Sequence, residues 1–126
     1  MSLENIISGS SSGVGFHPKV LVTGATGFLG RRLVEILVDR GYQIRALARK
    51  LSNIERLRMF DVEIFYGDVG NRKSIEPAFE GIDVVVHAAA DTSGKKEAGY
   101  ISTIEGTRNV SDLCREYNIK KLIYTF

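Results

Sequence analysis

At 126 residues, 44% apolar and 25% charged, the sequence has the size and makeup of one folded domain, which excludes a disordered tail and two complete units. Its 17 lysines and arginines against 15 aspartates and glutamates are too evenly balanced for the basic face that nucleic acid or an anionic membrane requires, so any anion it binds is small. No apolar run approaches the roughly 18 residues of a spanning helix, and the single cysteine, Cys114, excludes an internal disulfide and a multi-cysteine metal site and fits a reducing, cytoplasmic setting.

Residues 1–18 carry neither a basic n-region nor an apolar h-region, and Ser8-Gly9-Ser10-Ser11-Ser12-Gly13 marks them as a flexible leader. From Lys19 onward, short apolar runs alternate with amphipathic stretches, the pattern of stacked βαβ units. Val20-Leu21-Val22, between Pro18 and Gly24, is the first strand, apolar throughout as a strand buried on both faces must be. Phe28, Leu29, Leu33, Ile36 and Leu37 recur at helical spacing up to Gly41, a C-cap glycine. Tyr42 to Ala48 gives a second strand, Ser52 to Phe60 a short helix capped by Ser52, and Val62 to Tyr66 a third strand before the Gly67-Asp68 turn.

Asn71 is placed to cap a helix running to about Glu80, which Gly81 ends, and Asp83 to His87 forms a fourth strand of almost pure valine. After a polar loop at Asp91 to Lys96, Glu97 to Asn118 carries Ile101, Ile104, Val110, Leu113, Cys114 and Tyr117 in helical register, with Cys114 read as a buried helix residue. Lys121 to Thr125 supplies a fifth strand. Right-handed crossovers on a parallel sheet, with the chain doubling back after the third strand, predict a Rossmann-type three-layer α/β/α fold of order 3-2-1-4-5, truncated after strand five. Its ligand crevice opens at the carboxyl ends of the first and fourth strands.

Gly24-Ala25-Thr26-Gly27-Phe28-Leu29-Gly30 lies at that crevice. A pyrophosphate is met by unpaired backbone N–H groups at a helix N-terminus, where the helix dipole also favours an anion. Gly24 suits the tight turn, Gly27 the close approach of phosphate to backbone, and Gly30 the packing of helix on sheet. A glycine triplet alone is also an ordinary turn. Here it follows a buried strand and opens an amphipathic helix within a unit of about 30 residues, the context that a dinucleotide site requires. No Gly-Lys-Ser/Thr ending is present, which argues against a nucleotide-triphosphate loop.

The end of the second strand faces the adenosine ribose, where a carboxylate selects the free 2′-hydroxyl and an arginine accepts a 2′-phosphate. Arg49 followed by Lys50 therefore favours NADP(H), with NAD(H) compatible, over the plainer reading of a solvated charge at a strand end. Asp68 suits either a hydrogen bond from the adenine amino group or a structural turn. Ala88, Ala89 and Ala90 are small enough for a cofactor to lie against their backbone. His87, with no carboxylate or nucleophile visibly paired to it, is read as a hydrogen-bonded structural residue.

Together these segments resemble the extended short-chain dehydrogenases/reductases, which include NAD-dependent epimerases/dehydratases and dihydroflavonol-reductase-like enzymes. The carriers are Val22-Thr23-Gly24-Ala25-Thr26-Gly27-Phe28-Leu29-Gly30, Gly67-Asp68-Val69, Asp83-Val84-Val85-Val86-His87-Ala88-Ala89-Ala90 and Glu105-Gly106-Thr107-Arg108-Asn109-Val110, in family order and covering nearly everything after Pro18. The resemblance implies a cofactor site of Gly24, Thr26, Gly27, Phe28, Leu29, Arg49, Lys50, Asp68, Val69, Ala88, Ala89 and Ala90. In it Phe28 and Leu29 cover the pyrophosphate, Asp68 and Val69 line the adenine pocket, and Ala88 to Ala90 pass beneath the nicotinamide. Arg45-Ala46-Leu47-Ala48-Arg49 looks most like the NADP-dependent reductase branch.

Two departures stand out. The asparagine that the family places just before its Gly-Thr segment is replaced in this neighbourhood by Ser102 or Thr103. The catalytic Tyr-x-x-x-Lys pair, which the family carries on a helix after the fifth strand, is expected to be missing, so no catalytic residue and no metal ligand is assigned. Residues 19–126 are thus expected to be an NAD(P)-binding half-domain of an oxidoreductase or nucleotide-sugar epimerase/dehydratase, inactive alone, lacking the substrate-binding part and able to form a homodimer through the long helix. The competing classes are a non-catalytic NAD(P)-binding or sensing module and a structural protein that keeps the fold without the cofactor; the intact glycine loop and Arg49 weigh against the last.

Overall fold

The computed structural model describes residues 17–88 and 96–125. Strands β1 (Lys19–Thr23), β2 (Gln43–Ala48), β3 (Glu63–Tyr66), β4 (Val84–His87) and β5 (Lys121–Tyr124) form one parallel sheet in the order β3-β2-β1-β4-β5, as expected. Helix α1 (Phe28–Asp39) follows β1, α2 (Arg72–Ile75) follows β3, and α3 (Lys96–Glu116) follows β4. In register, Leu21 stands between Arg45 of β2 and Val85 of β4.

The unbroken apolar character of β1 and β4 has a direct cause in the two cores. Val20, Val22, Val84 and Val86 pack with Leu33, Val34 and Leu37 of α1 on one face. Leu21 and Val85 pack with Ile75, Phe79, Val110 and Leu113 on the other. Strands sandwiched in this way alternate between two interiors, so period-two alternation of polarity disappears. Each fully buried Leu, Ile or Phe stabilises the fold by about 1.5–3 kcal/mol relative to an exposed one.

Both long helices end in the same way. Gly41 (φ +88°) donates its N–H to Val38 and Tyr42 donates to Leu37, while Asn118 (φ 54°) donates to Arg115 and Ile119 to Cys114. Each pair satisfies the last carbonyls of its helix through a left-handed residue, a role that Asn tolerates better than other side-chain-bearing residues.

Two expected helices are corrected. Ser52 to Phe60 is not a helix but turns leading to one 3-10 turn at Leu57–Met59. Ser52 closes a turn by donating its N–H to Arg49, and the Asn53 side chain accepts the N–H of Glu55, so local hydrogen bonds displace the helical ones. The stretch from Asn71 to Glu80 is α-helical only over Arg72–Ile75 and continues as a 3-10 helix over Glu76–Phe79. Pro77 has no N–H for an α-helical bond, and its ring crowds the carbonyl four residues back. Asn71 occupies the N-cap position with an extended backbone, but its side chain makes no capping bond.

One charged residue is built into the interior. Arg45 is 6% exposed, donates to the carbonyls of Ala78 and Glu80 at 2.8 and 2.7 Å, pairs with Glu63, and lies 4.6 Å over the Phe65 ring. It thereby caps the 3-10 segment and ties it to the β2–β3 edge. The hydrogen bond from Arg45 holds the Glu63 carboxyl below its ordinary pKa. Among the described residues, no helix is long and apolar enough to cross a membrane.

Candidate functional site

β1 delivers the chain into the glycine loop at the carboxyl end of the sheet. Gly24 has φ +62°, a left-handed turn that L side chains resist, and the N–H of Gly27 donates to its carbonyl at 3.0 Å. A Cβ added to Gly30 would lie 2.0 Å from the Gly24 carbonyl oxygen, so α1 approaches the turn as closely as a bare backbone allows. Gly27 is the N-cap of α1 and brings no side-chain cap, and the first turn of the helix has no acidic residue. The helix thus opens at Phe28 and Leu29 with no side-chain cap over its first N–H groups, at the positive end of the helix dipole. These features fit a pyrophosphate. Thr26 is partly exposed in the loop, Phe28 is 89% exposed, and Leu29 39%.

Beside this loop lies a cleft of about 610 Å³, lined by Arg49, Lys50, Leu51, Ser52, Tyr66, Gly67, Asp68, Asn71 and Ser74. It sits at the carboxyl ends of β2 and β3, which the Gly67 N–H to Ala48 carbonyl bond joins at 3.0 Å. Arg49, Lys50 and Asp68, expected to act together, are therefore on one rim, and all three are exposed. Asp68 Oδ1 accepts the N–H of Gly70 at 2.9 Å, while the N–H of Asp68 donates to Ser74 Oγ at 3.0 Å. Of its two sequence readings, the turn is thus realised in the structure. Tyr66, Asn71 and Ser74 are cleft residues that sequence reasoning did not select. A register that puts Tyr66 opposite Ala48, one residue before Arg49, is the signal that a pairing-based reading would have used for Tyr66.

At the far end of the crevice, His87 closes β4 in full burial. Thr23 Oγ1 lies 2.7 Å from His87 Nδ1 and accepts the N–H of Ala88 at 3.1 Å, and His87 Nε2 lies 3.3 Å from Thr107 Oγ1 on α3. A neutral imidazole donates from one nitrogen and accepts at the other, so two hydroxyls satisfy it in either tautomer. Burial pushes its pKa down from 6.5 to about 4, which keeps the ring neutral. The structural reading of His87 agrees with this setting. Ala88 follows directly at the crevice, whereas Ala89 and Ala90 lie outside the described residues.

One expectation needs correcting in its letter. The spacing Tyr-x-x-x-Lys does occur once, at Tyr117 and Lys121. It does not form one turn of helix, because α3 ends at Glu116, Asn118 reverses the chain with φ 54°, and Lys121 opens β5. The Tyr117 ring packs 6.2 Å from that of Phe79, on the sheet's α3 side. Cys114 is 7% exposed within that core, and burial pushes its thiol up to about 11.

Residues 20–125 match the NAD dependent epimerase/dehydratase family. A 2-alkyl-3-oxoalkanoate reductase of Stenotrophomonas maltophilia is 37% identical over 109 residues, covering 85% of this chain and 32% of the reductase. Photosystem II assembly factor Ycf39 of Cyanophora paradoxa is 31% identical over 105 residues, covering 83% of this chain and 33% of that protein. Among solved structures, the Bordetella bronchiseptica enzyme WbmG in complex with NAD superposes with a TM-score of 0.77 at 26% identity, over 90% of this chain and 39% of that one. The chain spans about a third of the length of the curated relatives it matches. With a glycine loop at the switch point of a 3-2-1-4-5 sheet and a family match along nearly the whole described fold, this chain belongs to the NAD dependent epimerase/dehydratase family of extended short-chain dehydrogenases/reductases, as its nicotinamide-dinucleotide-binding portion.

Proposed function

We propose that this chain binds NADP(H) in preference to NAD(H) and serves a cytoplasmic oxidoreductase or nucleotide-sugar epimerase/dehydratase. The observation that carries the preference is the cleft rim after β2, where Arg49 and Lys50 stand at the position from which a carboxylate would select an unphosphorylated ribose. A guanidinium meets a 2′-phosphate through charge-assisted, bidentate hydrogen bonds. In this reading Gly24, Thr26 and Gly27, with the N–H groups of Phe28 and Leu29, hold the pyrophosphate. Asp68 and Val69 border the adenine, and Ala88 to Ala90 run beneath the nicotinamide. The bound nicotinamide supplies hydride exchange; this chain's residues bind and orient it. The 2-alkyl-3-oxoalkanoate reductase among the relatives supports reduction of a carbonyl as the reaction class.

Calorimetric titration of the chain with NADPH and NADH tests the proposal. Tighter binding of NADPH, by about tenfold or more, is expected from a charged hydrogen-bonded contact. Binding of neither removes the cofactor reading, and tighter binding of NADH removes the role given to Arg49. A second reading, a non-catalytic module whose cofactor occupancy controls a partner, draws on the relative described as a photosystem II assembly factor. Dinucleotide binding without turnover by the full-length protein, across a panel of carbonyl and nucleotide-sugar substrates, would favour it. Association of two copies through α3 belongs to the same proposal and rests on Ile104, which that helix leaves 39% exposed; sedimentation as a monomer at high concentration overturns it.

A further inference from the structure

The segment Gly106 to Asn109 of α3 touches both ends of the crevice. A glycine in a helix interior costs about 1 kcal/mol relative to alanine, so Gly106 calls for a reason. It has one: a Cβ at this position would lie 2.7 Å from Val69 Cγ2 and 3.3 Å from its Cβ, so the missing side chain is the notch in which Val69 sits. One turn further along, Asn109 donates from Nδ2 to the Val69 carbonyl at 2.7 Å. Between them, Thr107 reaches His87 Nε2, and His87 in turn meets Thr23, whose hydroxyl accepts the Ala88 N–H. Val69 follows β3 and Ala88 follows β4, on opposite sides of the glycine loop that follows β1.

We propose that Gly106, Thr107 and Asn109 form one latch, positioning residues that set the adenine wall at Val69 and the nicotinamide-side backbone at Ala88 from a single rigid helix. The proposal rests on the dinucleotide reading above. All three are positioning residues. Each acts through another residue: Gly106 and Asn109 through Val69, and Thr107 through His87 and Thr23. The two arms are chemically separate, so they are separable by experiment. Removing the Asn109 amide releases the adenosine end, whereas removing the Thr107 hydroxyl releases the nicotinamide end.

The test uses the 126-residue chain and two probes, NADPH and 2′-phospho-ADP-ribose, which keeps the 2′-phosphate and lacks only the nicotinamide. Asn109→Ala should weaken both by about tenfold, the scale of one lost partly buried hydrogen bond. Thr107→Val, isosteric but without the hydroxyl, should weaken NADPH by a similar factor and leave 2′-phospho-ADP-ribose unchanged, and Thr107→Ser should restore NADPH binding. A merely structural role lowers both probes together and gives no such split. Equal loss of both probes in Thr107→Val, no loss in either variant, or failure of Thr107→Ser to recover overturns the latch while the dinucleotide reading stands. Should Asn109→Ala fail to fold, the Thr107 pair decides alone. An unaltered chain that binds neither NADPH nor NADH overturns the dinucleotide reading, and the latch with it.

Discussion

The two sides of the crevice are built by different means. On the β1–α1 side the geometry belongs to the backbone: a left-handed Gly24, an uncapped helix start at Gly27, and a Gly30 whose absent side chain lets the helix meet the turn. On the β4–α3 side it belongs to side chains, a hydroxyl–imidazole–hydroxyl relay through Thr23, His87 and Thr107. A backbone site has no rotamer to adjust, so a side chain added at Gly30 has nowhere to go, whereas a relay of side chains is adjustable by conservative replacement and by protonation. The lesson is that substitutions on the first side should act through sterics and those on the second through hydrogen bonding and pH.

The largest effect should come from Gly30→Val. Its Cβ would meet the Gly24 carbonyl oxygen at 2.0 Å, and that atom is backbone that cannot swing aside. A loss of about 3 kcal/mol or more is expected, at the upper end of overpacking costs, with a fall in Tm of about 10 °C or more by thermal unfolding. Gly27→Ala sharpens the point. The Gly27 backbone, with φ −73° and ψ 169°, suits any residue, and the added Cβ stands 3.3 Å from the same oxygen. Tm should stay within a few degrees while dinucleotide affinity falls by about tenfold or more, since the methyl group sits where phosphate approaches. If both glycines act only on Tm, the loop is structural and nothing more.

Next in size is the pH response of the relay. Burial holds the His87 pKa near 4 in the folded chain, against 6.5 when unfolded. Between these values the unfolded state binds a proton that the folded state refuses, so stability is fully present above about pH 6.5, declines as pH falls towards 4, and levels off below. The shift corresponds to a loss on the order of 3 kcal/mol. Urea denaturation across that window should show the decline, and His87→Gln should flatten it. An unchanged slope in that variant would assign the acid sensitivity to other groups and leave His87 as a spacer.

How far these two sides were legible in the sequence follows from the same distinction. The glycine loop is readable because Gly24, Gly27 and Gly30 are each a local backbone requirement, and the strand order is readable because valine-rich β4 and β1 must be covered on both faces. The relay is not, since Thr23, His87 and Thr107 meet only through strand pairing and a crossover helix. Arg45 was equally opaque: a charge in a strand gives no sign that Ala78 and Glu80 will supply carbonyls to it. The expected helix at Ser52 to Phe60 failed because Asn53 turns the chain by a side-chain bond that periodicity does not register.

The cleft at the ends of β2 and β3 should respond more gently in stability than either flank, because its charged groups are exposed. Arg49→Asp should leave Tm unchanged and reverse the ratio of NADPH to NADH affinity, by about tenfold or more in each direction, from loss of one charged contact and the repulsion that replaces it. A weakening of both cofactors alike would mean that Arg49 serves the pyrophosphate or the general field and not the 2′-phosphate.

The smallest expected signal is at Cys114, and it bears on whether the β4–α3 side is as firmly closed as the β1–α1 side. β1 at the centre of the sheet is almost wholly buried, while β5 at its edge is only partly so. Cys114 packs on α3 against that edge with Leu122 beside it, and burial raises its thiol to about 11. At pH 8 only roughly a thousandth of it is thiolate, and alkylation proceeds through the thiolate. Iodoacetamide should therefore label the native chain barely at all over an hour, and label it fully in denaturant. Rapid labelling of the native chain, with circular dichroism unchanged, would show that α3 parts from β5 without global unfolding. The relay through Thr107 would then rest on a helix that moves, and the contrast between a rigid glycine loop and an adjustable far wall would extend from chemistry to dynamics.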